Sequence, residues 1–247
     1  MLPLKDDVPT RTFPLVTIAL IAINLAVYGY EFFLWWEPAA AAHPALGARL
    51  YRQFVLEFGL VPCRLRSLCP PALETALAGA PAAPLSVFTA MFVHGGLFHV
   101  AGNMLYLWIF GRSVEAAMGH ARYTVFYLVC GVVAAAAQYL QSPASPVPMV
   151  GASGAVSGTL GAYVLLFPHA RIWTLMVFGL FWRIVAVPAL LVLGFWFVVQ
   201  LVNAVFTFGR GGGGGIAFVA HLGGFAAGLL LVNVFRRSRR HRRYRWV

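Results

Sequence analysis

Apolar residues run along this chain in long blocks separated by short polar breaks, and the length of the blocks says what surrounds them. The first, 13–36, reads FPLVTIALIAINLAVYGYEFFLWW, and others follow at about 97–114, 121–141, 151–168, 183–207 and 216–235. Each approaches the roughly 20 residues that a helix needs to cross a bilayer, where only helices or closed barrels satisfy their own backbone. The pattern predicts an all-α membrane protein, a bundle of six transmembrane helices. A short N-terminal segment (1–12) should precede a six-helix membrane domain (13–235), and a tail (236–247) should follow it. The first span is expected to double as the insertion signal. Within the domain, 37–85 is mixed and proline-rich and reads as a long external loop. The fifth block is the least defined, because 172–206 is apolar throughout and Arg183 and Pro188 interrupt it, so that span could begin earlier.

Composition agrees with a membrane protein. Hydrophobic residues make up 61% of the chain and charged ones 10%, against about 25% charged in a soluble domain. The net charge of +11 would suit a nucleic-acid binder, but its distribution does not. Seven of the 18 basic residues fall in RRSRRHRRYRWV (236–247), directly after an apolar block. A basic run so placed reads as an anchor on anionic lipid at the cytoplasmic face, and no nucleic-acid partner is expected. Six spans put both termini on that side. Arg112, Arg122 and Arg171 then fall in cytoplasmic turns, and the uncharged SPASPVPMV (142–150) falls outside. Glu31, Glu37, Glu57 and Glu74 are counted with the external loop. Seventeen arginines against one lysine, with abundant alanine, suggest a GC-rich bacterial origin and hence the plasma (inner) membrane. Cys63 and Cys69 share the loop and are either a disulfide or two free thiols. GRGGGGG (209–215) reads as a flexible link beside a mobile fifth helix.

Polar side chains inside spans are costly and usually functional. Setting the loops aside leaves His94, His99, Asn103, Ser153, Ser157 and His221, with Gln138 and Gln200 further off. His99 and Asn103 are four apart and share one helix face. Ser153, in GASGAVSG (151–158), lies at a helix start, where backbone N–H groups have no intrahelical partner. His221, Gly224 and Gly228 form a stripe on the sixth span, and Gly154, Gly158 and Gly161 form one on the fourth. Small residues at such spacing let helices approach closely in lipid, which would bring the Ser153 hydroxyl to the His221 imidazole. Asp6 and Asp7 are the only aspartates and Glu115 sits at the far end of the second span, so a Ser–His dyad is expected rather than a triad. Its histidine would be oriented by packing or by a neutral partner. Taken singly, each feature also has a packing explanation; their conjunction points to a catalytic site. His94 reads as a structural hydrogen-bond partner.

The segments HGGLFHVAGNMLYLWIFG (94–111), GASGAVSGTLGAY (151–163) and AHLGGFAAG (220–228), in this order, resemble the rhomboid family of intramembrane serine proteases. The resemblance covers roughly 13–235. It implies a rhomboid-like bundle that cleaves transmembrane helices of single-pass membrane proteins near the external face. Ser153 would be the nucleophile and His221 its base. His99 and Asn103, with the Ser153 N–H, would form the oxyanion hole, and Glu115 would have a structural role. Where some members place an aromatic residue against the histidine, this chain has Ser157, and YRQF (51–54) stands where others have a Trp-Arg pair. No metal or organic cofactor is implied. The alternatives are a non-catalytic rhomboid-like protein that binds membrane helices, or a small transporter, for which no internal repeat is evident.

Overall fold

The computed structural model describes residues 2–36, 44–179, 181–207 and 217–237. The glycine run at 209–215 and all but the first two residues of the basic tail lie outside these. The chain forms a helical membrane bundle. Its elements are α1 (Leu15–Trp35), α2 (Pro44–Phe58), α3 (97–118), α4 (His120–Gln141), α5 (Ser153–Leu166), α6 (Ala189–Thr207) and α7 (Phe218–Phe235). Helix α3 runs on through a π-helical stretch, Leu107–Gly111. Four helices, α1, α4, α6 and α7, are long and apolar enough to cross a membrane, and α5 is a shorter apolar helix. Each of the six expected blocks thus contains a helix, although only four of these helices have the full length and hydropathy of a span.

Helix α5 is the centre of the bundle. Every residue from 155 to 163 is buried, so this helix is enclosed by protein rather than lipid. The outer helices turn large apolar side chains outwards, among them Leu140, Leu191 and Leu230, which are more than half exposed. Such an apolar exterior belongs against acyl chains.

The fifth span requires a correction. Residues 183–188 are not its first turns, because Arg171–Phe178 (β2) and Phe181–Pro188 (β3) pair as an antiparallel hairpin, and α6 begins only at Ala189. The N-terminal segment adds a third strand, β1 (Leu2–Asp6), beside β2. The sheet is held to the bundle by Asp6, which accepts hydrogen bonds from Arg112 (2.5 Å), Ser113 (2.6 Å) and Tyr163 (3.0 Å). In the loop, Cys63 and Cys69 form a disulfide.

Glu115 joins α3 to α1 and α4. Helix α1 has no side-chain cap of its own, so the orphan N–H groups of its first turn need other acceptors. The buried Glu115 carboxylate takes the N–H of Val16 (2.9 Å) and of Thr17 (2.8 Å), the Thr17 hydroxyl (2.6 Å) and His120 Nδ1 (2.6 Å). A negative charge at a helix start is also favoured by the helix dipole. Glu115→Ala should therefore lower stability by at least about 2 kcal/mol by leaving these donors buried and unpaired. Glu115→Gln should fall between, and thermal unfolding in detergent ranks the three.

Candidate active site

Two residues before the central helix, Gly151 and Ala152, fix its approach. Gly151 donates its N–H to the Ala90 carbonyl at 2.8 Å. Its φ of +115° suits glycine, and a Cβ there would come within 2.7 Å of the His99 ring. Val156 N–H then bonds the Ala152 carbonyl at 2.9 Å, which starts the helix and puts Ser153 in its first turn.

Ser153 meets α7 at that turn. Its Oγ lies 2.8 Å from His221 Nε2. The approach depends on the glycine stripes: a Cβ on Gly224 would strike the Gly154 carbonyl, and one on Gly228 would strike that of Gly158. Two backbones this close leave room for no side chain between them.

The other imidazole nitrogen, Nδ1, lies 2.7 Å from Gln200 Oε1 on α6. One turn earlier Trp196 packs against the imidazole, with ring centroids 6.0 Å apart at 37°, and Phe218 presents its edge. Ser157 does not support the histidine; its hydroxyl donates to the Ser153 carbonyl at 2.6 Å. The aromatic support missing at Ser157 comes instead from another helix.

On α3, His99 and Asn103 share the expected face. The Gly95 N–H donates to His99 Nδ1 at 3.3 Å, which assigns the ring proton to Nε2, the atom beside Gly151. Asn103 is 7% exposed and its Nδ2 is buried without a hydrogen-bond partner. An unpaired buried donor is costly, and such a group is accounted for if an oxygen is to arrive there. With the Ser153 N–H, which has no intrahelical acceptor, donors from two helices face one space. That space is a cavity of about 630 Å³ lined by Ser153, His221, His99, Asn103, Trp196 and Gln200.

All four expected site residues thus line one cavity. Gln200, which the sequence places further off, touches the histidine. Glu31, counted with the external loop, is 1% exposed at the end of α1 and accepts the His94 N–H at 3.0 Å, without reaching His221. His94 bonds the Phe92 carbonyl through Nδ1 and packs edge-on against His99. Tyr51, in the YRQF segment, donates to the His94 carbonyl at 3.1 Å. Trp196 was missed altogether. The signal available was a tryptophan four residues before a glutamine in an otherwise apolar span, which puts both on one face. Among the described residues, no three His, Cys, Asp or Glu side chains gather as a metal site would require.

Residues 82–238, more than half of the chain, match the family model for the Rhomboid domain. RHOMBOID-like protein 1 of Arabidopsis thaliana is 28% identical over 232 residues, covering 90% of this chain and 54% of that protein. Rhomboid protease GluP of Bacillus subtilis (strain 168) is 34% identical over 117 residues, 47% of this chain and 22% of that protein. The mitochondrial presenilin-associated rhomboid-like protein of Homo sapiens is 30% identical over 155 residues, 62% of this chain and 33% of that protein. The chain therefore spans about half or less of the length of each of these relatives.

Proposed function

The chain belongs to the rhomboid family, and from that premise we propose that it is an intramembrane serine endopeptidase acting through a Ser153–His221 dyad. The observation that carries this reading is the 2.8 Å contact between Ser153 Oγ and His221 Nε2 beside an unpaired Asn103 amide. The substrates are transmembrane helices of single-pass membrane proteins, cut near the external face. That one relative is named a protease supports the activity.

In this mechanism His221 Nε2 takes the Ser153 proton as Oγ attacks the scissile carbonyl. The carbonyl oxygen becomes an oxyanion and accepts hydrogen bonds from the Ser153 N–H, His99 Nε2 and Asn103 Nδ2. His221 gives its proton to the leaving amine, and an acyl-enzyme remains on Ser153. Water entering through the cavity, with His221 again as base, releases the acid. A substrate helix must first unwind locally, because its carbonyls are held in i to i+4 bonds.

The protein is an integral membrane protein. We place it in a bacterial plasma membrane with both termini cytoplasmic, on the arginine bias, although the relatives include mitochondrial and plant proteins. The basic tail binds anionic lipid. The test is cleavage of a single-span reporter by purified protein in detergent, paired with fluorophosphonate labelling. Labelling at Ser153 with specific cleavage is expected; absence of both would replace this reading with a non-catalytic helix binder. Asn103→Ala should lower turnover by about 10²–10³, less than loss of the nucleophile. Equal losses would mean that the roles are misassigned.

A further inference from the structure

The 2.7 Å contact between Gln200 Oε1 and His221 Nδ1 has a consequence for how a dyad works without a carboxylate. A neutral imidazole carries one proton, on either nitrogen. If the proton is on Nε2, the ring faces Ser153 with a donor and cannot accept the hydroxyl proton. Only the Nδ1–H tautomer leaves a lone pair on Nε2, directed at Ser153 Oγ 2.8 Å away. A carbonyl oxygen at Nδ1 selects that tautomer, because it accepts and cannot donate.

We propose that Gln200 is the positioning residue of the dyad, holding His221 as its Nδ1–H tautomer and in line with Ser153 through its side-chain carbonyl. This deepens, and rests on, the proteolytic reading of the site. Three observations beyond the distance support it. Gln200 is 8% exposed, so little of its surface is open to competing water. Trp196, one turn away on the same helix, packs against the same imidazole, so α6 both braces the ring and fixes its proton. Among the described residues, no carboxylate is within hydrogen-bond distance of His221; Glu31 and Glu115 are committed to His94 and to α1. An amide also suits the site physically. It accepts the hydrogen bond from Nδ1–H at all stages, and its burial between apolar helices avoids desolvating a charge. As the imidazolium forms, the carbonyl dipole favours it without needing to be ionised itself.

The experiment has two arms. In the first, nitrogen NMR of ¹⁵N-histidine-labelled wild type in detergent, with His221→Ala to assign the signal, reads the tautomer directly. A protonated Nδ1 and bare Nε2 at His221 are expected; the opposite tautomer overturns the proposal whatever the variants do. In the second, Gln200→Leu and Gln200→Glu are compared with wild type for kcat, KM and the rate of fluorophosphonate labelling at Ser153. Gln200→Leu, of similar size but with no acceptor, should lower kcat and labelling roughly tenfold, the loss of one hydrogen bond, with KM within about twofold. Gln200→Glu keeps the acceptor and should label faster than Gln200→Leu. A Gln200→Leu protein that labels at the wild-type rate would refute the role. If wild type neither labels nor cleaves, the proteolytic reading fails, while the tautomer measurement still decides the Gln200 bond.

Discussion

Ser153→Ala and His221→Ala are each expected to reduce cleavage of a single-span reporter by at least about 10⁴-fold, and the double variant by little more. The first removes the proposed nucleophile, positioned between the proposed oxyanion donors and the imidazole. The second leaves the hydroxyl in place but strands its proton, because Ser153 Oγ has His221 Nε2 as its partner at 2.8 Å and, among the described residues, no carboxylate within hydrogen-bond distance. Residues that act as one unit lose together, so the effects should not add. Thermal unfolding in detergent separates the two failures from misfolding; Asn103→Ala should still label slowly with fluorophosphonate, whereas neither dyad variant should label. Retention of more than about 1% of the wild-type rate by either variant would place the chemistry elsewhere, since the loss expected is about 10⁴-fold.

The membrane helices were legible because each is a continuous apolar block, and lipid imposes that pattern irrespective of what the helix packs against. The hairpin 171–188 was not legible for the same reason. Its two eight-residue strands, RIWTLMVF and FWRIVAVP, are as apolar as the helix that follows, and an apolar run carries no period by which strand and helix could be told apart. Their β-branched residues and Gly179, at φ +59°, were the available hint of a turn. In the site, Ser153, His221, His99 and Asn103 stood out because each is a polar residue at a distinctive spacing. Gln200 stood out less, since a lone glutamine within an apolar helix has many uses, and only the packing of α6 against α7 brings it to the imidazole. Glu31 was assigned by its position at the end of an apolar block. It is buried where the His94 N–H reaches its carboxylate, a long-range contact that no local pattern announces.

The same glycine stripes that the sequence displayed carry the largest expected effect on the fold. At Gly228 an added Cβ would meet the Gly158 carbonyl oxygen, with the Gly158 carbonyl carbon at 2.7 Å and Cα at 2.9 Å. At Gly224 it would meet the Gly154 carbonyl, and at Gly161 that of Phe225. These obstacles are backbone, not the ends of side chains, so relief requires α5 and α7 to separate along their whole contact. Gly228→Val should therefore cost at least about 3 kcal/mol, the upper end for overpacking. Ser153 and His221 lie at one end of this seam, and a displacement of about 1 Å is enough to cost roughly 10² in rate. Gly228→Ala should accordingly lose cleavage even where the protein remains folded in detergent. Gly29→Ala and Gly194→Ala are the controls, since a Cβ at either meets nothing within 4 Å. Alanine is the better helix former by about 1 kcal/mol, so both should melt no lower than wild type and cleave normally. If Gly228→Val melts with those controls, the helices are not held at backbone contact, and the explanation for how an isolated serine reaches its histidine within lipid falls with it.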